Sequence, residues 1–194
     1  MQYLKTYLKK ITDRGNTKLA ESIEKTANDV GNKHIKTFSF SSHEIGLLLG
    51  NVQSGKTGQM FGIICKAADL GFPVFVLLTT DNVVLQQQTL DRVKTDLDGF
   101  CICGENNSTG FMKGNPLFII DDEADAASLN TLVNRNRQSS INKYLDSIKN
   151  GASSSLYLQV TGTPQAIFLQ TLASGWHPYF TYYFQPGDAY LGGD

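Results

Sequence analysis

The sequence predicts an α/β fold with a mostly parallel sheet, and three short apolar runs carry that prediction. Ile45-Gly46-Leu47-Leu48-Leu49 leads into Gly50-Asn51-Val52-Gln53-Ser54-Gly55-Lys56-Thr57, Leu117-Phe118-Ile119-Ile120 into Asp121-Asp122-Glu123-Ala124-Asp125, and Leu156-Tyr157-Leu158-Gln159-Val160 into Thr161-Gly162-Thr163-Pro164. Each run has the length of a buried strand, and each ends in residues with chemistry of their own. In open α/β sheets ligands sit beyond the carboxyl ends of the strands, which is where these endings fall.

The first ending is a complete G-x-x-x-x-G-K-[ST] phosphate loop, residues 50–57. Gly50 and Gly55 let the backbone fold tightly, so that amides from Gln53, Ser54, Gly55, Lys56, Thr57 and Gly58 point at phosphate oxygens. Lys56 adds a positive charge of catalytic use on the β- and γ-phosphates, and Thr57 adds a hydroxyl for Mg²⁺. Residues 57–70 suit a helix, whose positive N-terminal end would favour the same anion. The expected ligands are therefore ATP and Mg²⁺.

A bound Mg²⁺ needs a carboxylate at the end of a neighbouring strand. The second ending supplies it: Asp122 is expected to hold the metal, and Glu123 to polarise the attacking water. Standing alone, such an acidic run could equally cap a helix, and Thr161-Gly162-Thr163-Pro164 standing alone is a plain turn. Their order behind a phosphate loop gives both a functional reading.

A strand ending in Thr-Gly-Thr-Pro after a phosphate loop and a DEAD box resembles the third motif of superfamily-two helicases, whose hydroxyls link nucleotide state to nucleic-acid grip. The chain further resembles the Z-one domain, a helicase-like ATPase family found beside restriction and other phage-defence genes. The resemblance covers roughly residues 40 to 194. It rests on Val52 to Thr57, Ala67-Ala68-Asp69-Leu70-Gly71-Phe72, Thr79-Thr80-Asp81-Asn82 with Leu85 and Gln88-Thr89, the DEAD segment through Thr131, Ser140-Ile141-Asn142, Thr161 to Ala166, and Gly187-Asp188-Ala189-Tyr190-Leu191-Gly192-Gly193. It implies a RecA-like lobe in which Thr80, Gln88, Thr161 and Thr163 couple nucleotide to DNA, in a translocase or remodelling ATPase working with a nuclease or other defence subunit. No metal-nuclease constellation is visible, so cutting would belong to another domain or subunit.

Two departures from the family pattern stand out. Relatives carry a longer segment with another apolar strand before the DEAD strand, for which only Phe100-Cys101-Ile102-Cys103 offers material here. The chain also ends before a second RecA-like lobe could begin. In two-lobed helicases that lobe brings an arginine finger worth several orders of magnitude in rate. Supplied in cis or in trans, it is expected to be needed for turnover.

The remaining features place this core in context. The chain has 194 residues, 41% of them hydrophobic, and a formal charge of −1. No apolar stretch approaches the about 18 residues of a membrane span, and the start lacks the order of a signal peptide, so cytoplasm is the expected location. Residues 1–36 carry eight Lys or Arg against four Asp or Glu. Leu4, Leu8 and Ile11, then Leu19 and Ile23, recur at helical spacing around Gly15-Asn16. This predicts two amphipathic helices in an N-terminal segment, residues 1–38, ahead of the lobe at 39–194, with a basic face that is either solvated or set against nucleic acid. Residues 104–115 and 150–155 read as loops, and Arg135 and Arg137 either meet phosphates or stand in a solvated loop. Cys65 belongs on the apolar face of the phosphate-loop helix. Cys101 and Cys103 would leave one side of a strand as reduced structural thiols. The alternatives to a DNA motor are a nucleotide-sensing switch and a non-catalytic docking module.

Overall fold

Sheet formation in this chain follows from strands apolar on both faces. The computed structural model describes residues 2–50, 55–79, 82–103, 109–122, 124, 140–163 and 178–184. Helices α1 (Tyr3–Asp13) and α2 (Thr17–Val30) lead through a π-helical turn, Gly31–Ile35, to β1 (His43–Leu49), α3 (Lys56–Asp69), β2 (Val74–Leu78) and α4 (Val83–Asp96). A short α5 (Thr109–Met112), β3 (Pro116–Asp122), α6 (Ser140–Gly151), β4 (Ser154–Thr161) and β5 (Phe180–Tyr183) complete the described elements. The strands pair in the order β2-β3-β4-β1-β5, every pairing parallel. All eight residues of β4, the central strand, are buried, as a strand covered on both faces must be.

Side chains alternate across each strand and build two cores. On one face Leu48, Phe118, Ile120, Leu156, Leu158 and Val160 join Met60, Phe61, Ile63 and Ile64 of α3 and the apolar faces of α1 and α2. On the other, Leu117, Ile119 and Tyr157 are covered by Met112 of α5 and Ile148 of α6. Helices on both faces of a parallel sheet make a doubly wound α/β lobe.

The N-terminal helices form at the expected break, where Gly15 takes φ +83°. Their buried residues are Leu4, Tyr7 and Ile11, then Ala20, Ile23, Thr26, Ala27 and Val30, while Leu8 and Leu19 are only partly covered. They share the core of α3. The amides of Tyr3 and Leu4, in the first turn of α1, donate to the Asp69 carboxylate at 2.8 and 3.1 Å, an anion at a positive helix end. Arg14 meets the buried Asp96 at 2.6 Å, and Lys10 meets Asp98 at 2.7 Å, which fastens α1 to the end of α4. Along α3, Gly58 and Gly62 stand one turn apart and leave room for Ile23. A Cβ on Gly62 would lie closer to Ile23 Cγ2 than the contact distance of two carbon atoms.

Three local expectations are corrected. Residues 101–103 form no strand and are exposed; only Phe100 is anchored, its ring 4.8 Å from Tyr3 and 5.5 Å from Phe75. The segment 104–115 contains α5 rather than loop alone. The segment 150–155 is mostly regular, because α6 runs through Gly151 and β4 begins at Ser154. Ser154 and Ser155 are buried in register with Pro116 and Leu117; serine reads as loop, yet here it fits the crowded start of a central strand.

Gly62→Ala tests the helix packing. Alanine should gain about 1 kcal/mol of helix propensity, but overpacking against a β-branched neighbour costs about 1–3 kcal/mol. The expected outcome is a lower midpoint in denaturant unfolding. In an Ile23→Ala background, where the obstructing methyl is gone, the same substitution should be neutral or stabilising.

Candidate nucleotide site

β1 ends at Leu49, and two backbone bonds fix the point where the chain leaves the sheet. The Gly50 amide donates to the Thr161 carbonyl at 3.2 Å, and the Phe184 amide donates to the Leu49 carbonyl at 3.0 Å. Gly50 is required here for space, because a Cβ would overlap the Phe184 ring. Gly55 holds φ +76° as the N-cap of α3. That left-handed conformation is cheap for glycine alone. The first helical bond runs from the Gln59 amide to the Gly55 carbonyl at 3.2 Å. The amides of Lys56, Thr57 and Gly58 therefore belong to the first turn, directed out of the helix's positive end. Lys56 and Thr57 are half-buried and Gly58 is buried. Gln53 and Ser54 lie outside the described residues.

The DEAD strand is not the hydrogen-bonded neighbour that a metal carboxylate was expected to occupy. β4 lies between β1 and β3. Register nonetheless brings their ends level: Leu49 pairs with Thr161 and Asp122 with Val160. Within the acidic run the two aspartates part company. Asp121 alternates with Leu117 and Ile119, is buried, and accepts a hydrogen bond from the Tyr157 hydroxyl. Asp122 alternates with Phe118 and Ile120, on the face that carries α3, and is half-buried. Thr57 is the second residue of α3, and Asp122 ends β3 on the sheet face that α3 covers. Glu123 lies outside the described residues.

Thr161 is fully buried at the end of β4, and its hydroxyl accepts from the Thr163 amide at 2.9 Å. This is a side-chain turn of the type that threonine favours. Thr163 is exposed. Thr161 therefore touches the start of the phosphate loop through its carbonyl and its own turn through its hydroxyl. Gln88 stands exposed on α4, which follows β2 at the far edge of the sheet from β5; the structure does not gather it with the others. Thr80 lies outside the described residues.

One contributor was not foreseen. β5 carries Phe184 over Gly50, and the N-terminal segment holds β5 in place. The His34 ring stacks on Phe180 at 4.0 Å, and the Tyr182 hydroxyl donates to Asp29 at 2.9 Å. Burial lowers the His34 pKa, with help from Lys33. Burial and then the Asp29 contact push the Tyr182 hydroxyl up to about 12. Both rings stay neutral near pH 7 and pack as such. The aromatic alternation Phe180-Thr181-Tyr182 was the available signal.

No protein-family model and no curated protein matches the sequence. Two solved structures of the ORC2 protein of Aeropyrum pernix are similar in fold. One, of its ADPNP-ADP complexes, has a TM-score of 0.48 at 14% identity and covers 82% of this chain and 46% of that one. The other, the ADP form, has a TM-score of 0.46 at 15% identity and covers 84% and 47%. The chain spans less than half the length of these structures. Among the described residues no helix is long and apolar enough to cross a membrane.

Lys56→Ala tests the phosphate contact expected of Lys56. Losing a charge-assisted hydrogen bond of about 1.5–3 kcal/mol should weaken ATP binding about 10- to 100-fold. The thermal midpoint of the ligand-free protein should change little, since a half-buried side chain in a first helical turn leaves no large cavity. Titration calorimetry with ATP and Mg²⁺ reads the first quantity and thermal unfolding the second.

Proposed function

We propose that this chain is the ATP-binding first lobe of a helicase-like ATPase of the Z-one domain kind, which moves along or remodels DNA within a restriction or phage-defence system. The observation that carries the proposal is the alignment of three strand ends: the phosphate loop after β1, Thr161 at the end of β4, and Asp122 at the end of β3. A strand ending in a hydroxyl, set between the two nucleotide-binding strands, is a natural relay between γ-phosphate and a remote ligand. Its backbone already touches the loop through Gly50.

In this reading the first-turn amides of α3 and Lys56 hold the triphosphate, Thr57 and Asp122 hold Mg²⁺, and Glu123 orients or activates water. Mg²⁺, when bound, neutralises charge developing on the phosphate oxygens. The arginine finger comes from a second lobe in cis or in trans, so the lobe described here binds nucleotide better than it hydrolyses it. DNA and a nuclease or other defence subunit are the partners, in the cytoplasm.

Chemistry is tested by Glu123→Gln in the complete assembly. Nucleotide and Mg²⁺ affinity should persist, while turnover falls by about 10²-fold or more, the scale of a lost general base. Normal steady-state hydrolysis in that variant would move the base elsewhere.

Coupling is tested by changing Thr161 and Thr163 together to Ala. ATP affinity should stay within a few fold, but DNA should no longer stimulate ATPase activity, because a ligand shifts an equilibrium only through contacts that differ between states. Stimulation equal to wild type would reduce residues 161–164 to a turn and favour a nucleotide-sensing switch over a motor.

A further inference from the structure

The proposed ATPase leaves one reactive pair unused. Cys101 and Cys103 follow Phe100, whose ring is wedged against Tyr3 and Phe75 where α1 meets β2. Beyond that anchor both cysteines are free thiols and exposed, and residues 101–103 take part in no helix or strand. Only Ile102 separates the two thiols along the chain. The Cys103 thiol is held above its ordinary pKa by desolvation, by a hydrogen bond with Cys101 and by the neighbouring Cys101 charge. The third cysteine is shielded instead: Cys65 is buried in α3, and burial, then Asp69, pushes it up to about 12. Reactivity belongs to accessible thiols able to ionise, so it falls on the exposed pair. Among the described residues no group of three or more His, Cys, Asp or Glu could hold a metal ion.

We propose that Cys101 and Cys103 are a redox modification site, closing to an intrachain disulfide by exchange with a low-molecular-weight disulfide of the glutathione kind. One thiolate attacks a sulfur of the small disulfide, forming a mixed disulfide and expelling one small thiolate. The second cysteine, as thiolate, then attacks the protein-side sulfur of that mixed bond, forming the Cys101–Cys103 bond and expelling the second small thiolate. Two electrons pass from the pair to the small disulfide, and the two protons lost by the cysteines end on the two released thiols. The second step is intramolecular, and two residues of separation give the resolving thiol a high effective concentration. Closure needs only local movement of exposed chain, because residues 101–103 have no strand pairing to break and the anchor at Phe100 precedes them. The closed ring would tie down the chain immediately after the aromatic contact that joins α1 to β2.

The test uses the folded full chain, oxidised glutathione and intact-mass measurement, followed by peptide mapping. Wild type should lose the mass of two hydrogens, retain no glutathione, and return to its starting mass with excess dithiothreitol. Cys101→Ser and Cys103→Ser cannot close the ring and should each keep one glutathione, at a level at least about ten-fold above wild type. Iodoacetamide without denaturant should modify two cysteines of the reduced protein and none of the oxidised one. An unchanged wild-type mass, stable glutathione on wild type at the level of the single variants, a bond that includes Cys65, or disulfide-linked dimers in place of the ring would each overturn the proposal.

Discussion

The register of three parallel strands is the constraint on which the remaining structure depends. β3, β4 and β1 pair in continuous parallel register, so Asp122, Thr161 and Gly50 leave the sheet within two positions of one another. Parallel pairing also dictates what must surround the sheet. Central parallel strands are apolar on both faces, and the crossovers between them supply the helices that cover those faces. Because side chains alternate with a period of two, slipping β3 by one residue would move all of Leu117, Phe118, Ile119 and Ile120 to the wrong core. The two apolar clusters therefore hold the register, and the register holds the site.

The helix that begins the nucleotide site is itself unusually enclosed. α3 meets the sheet on one side and α1 and α2 on the other, and nine of its residues are buried. Two of the nine are glycines beneath Ile23. Glycine inside a helix costs about 1 kcal/mol relative to alanine, so Gly58 and Gly62 make sense as a groove that lets α2 approach closely. The same N-terminal segment reaches around to β5 through His34 and Tyr182, and β5 places Phe184 on Gly50. Both ends of the phosphate loop are thereby positioned by contacts that begin in residues 1–38.

Much of this was legible because it is local. The strands β1, β3 and β4, the helix after the phosphate loop, the two N-terminal helices and their break at Gly15-Asn16 follow from apolar periodicity and glycine. What was not legible depends on partners distant in the chain. Nothing near Asp69 announces that its carboxylate will receive the amides of Tyr3 and Leu4, and nothing near Asp96 announces Arg14. Strand order belongs to the same class: the motif series does not tell that β4 inserts between β1 and β3. The stretch at residues 100–103 failed for another reason. Its composition suits a strand, but a strand exists only where another offers its hydrogen-bonding edge, and here the anchored ring of Phe100 ends the contact.

The division of labour between Asp121 and Asp122 shows how backbone geometry resolves an ambiguity of sequence. Two consecutive carboxylates look interchangeable as metal ligands, and side by side in one pocket they would repel. The pleat separates them instead, sending one to each face of the sheet. Asp121 is buried beneath α5 and α6's side of the sheet and receives the Tyr157 hydroxyl from the adjacent strand. A buried carboxylate is tolerable only when it is hydrogen-bonded, so Tyr157 makes Asp121 part of the core. Asp122 is left on the face of α3, next to Val160 in register and one position short of the level of Thr161. An acidic run that holds both residues thus delivers only one of them to the phosphate-loop side, and the choice is made by Tyr157 and by the parity of the strand.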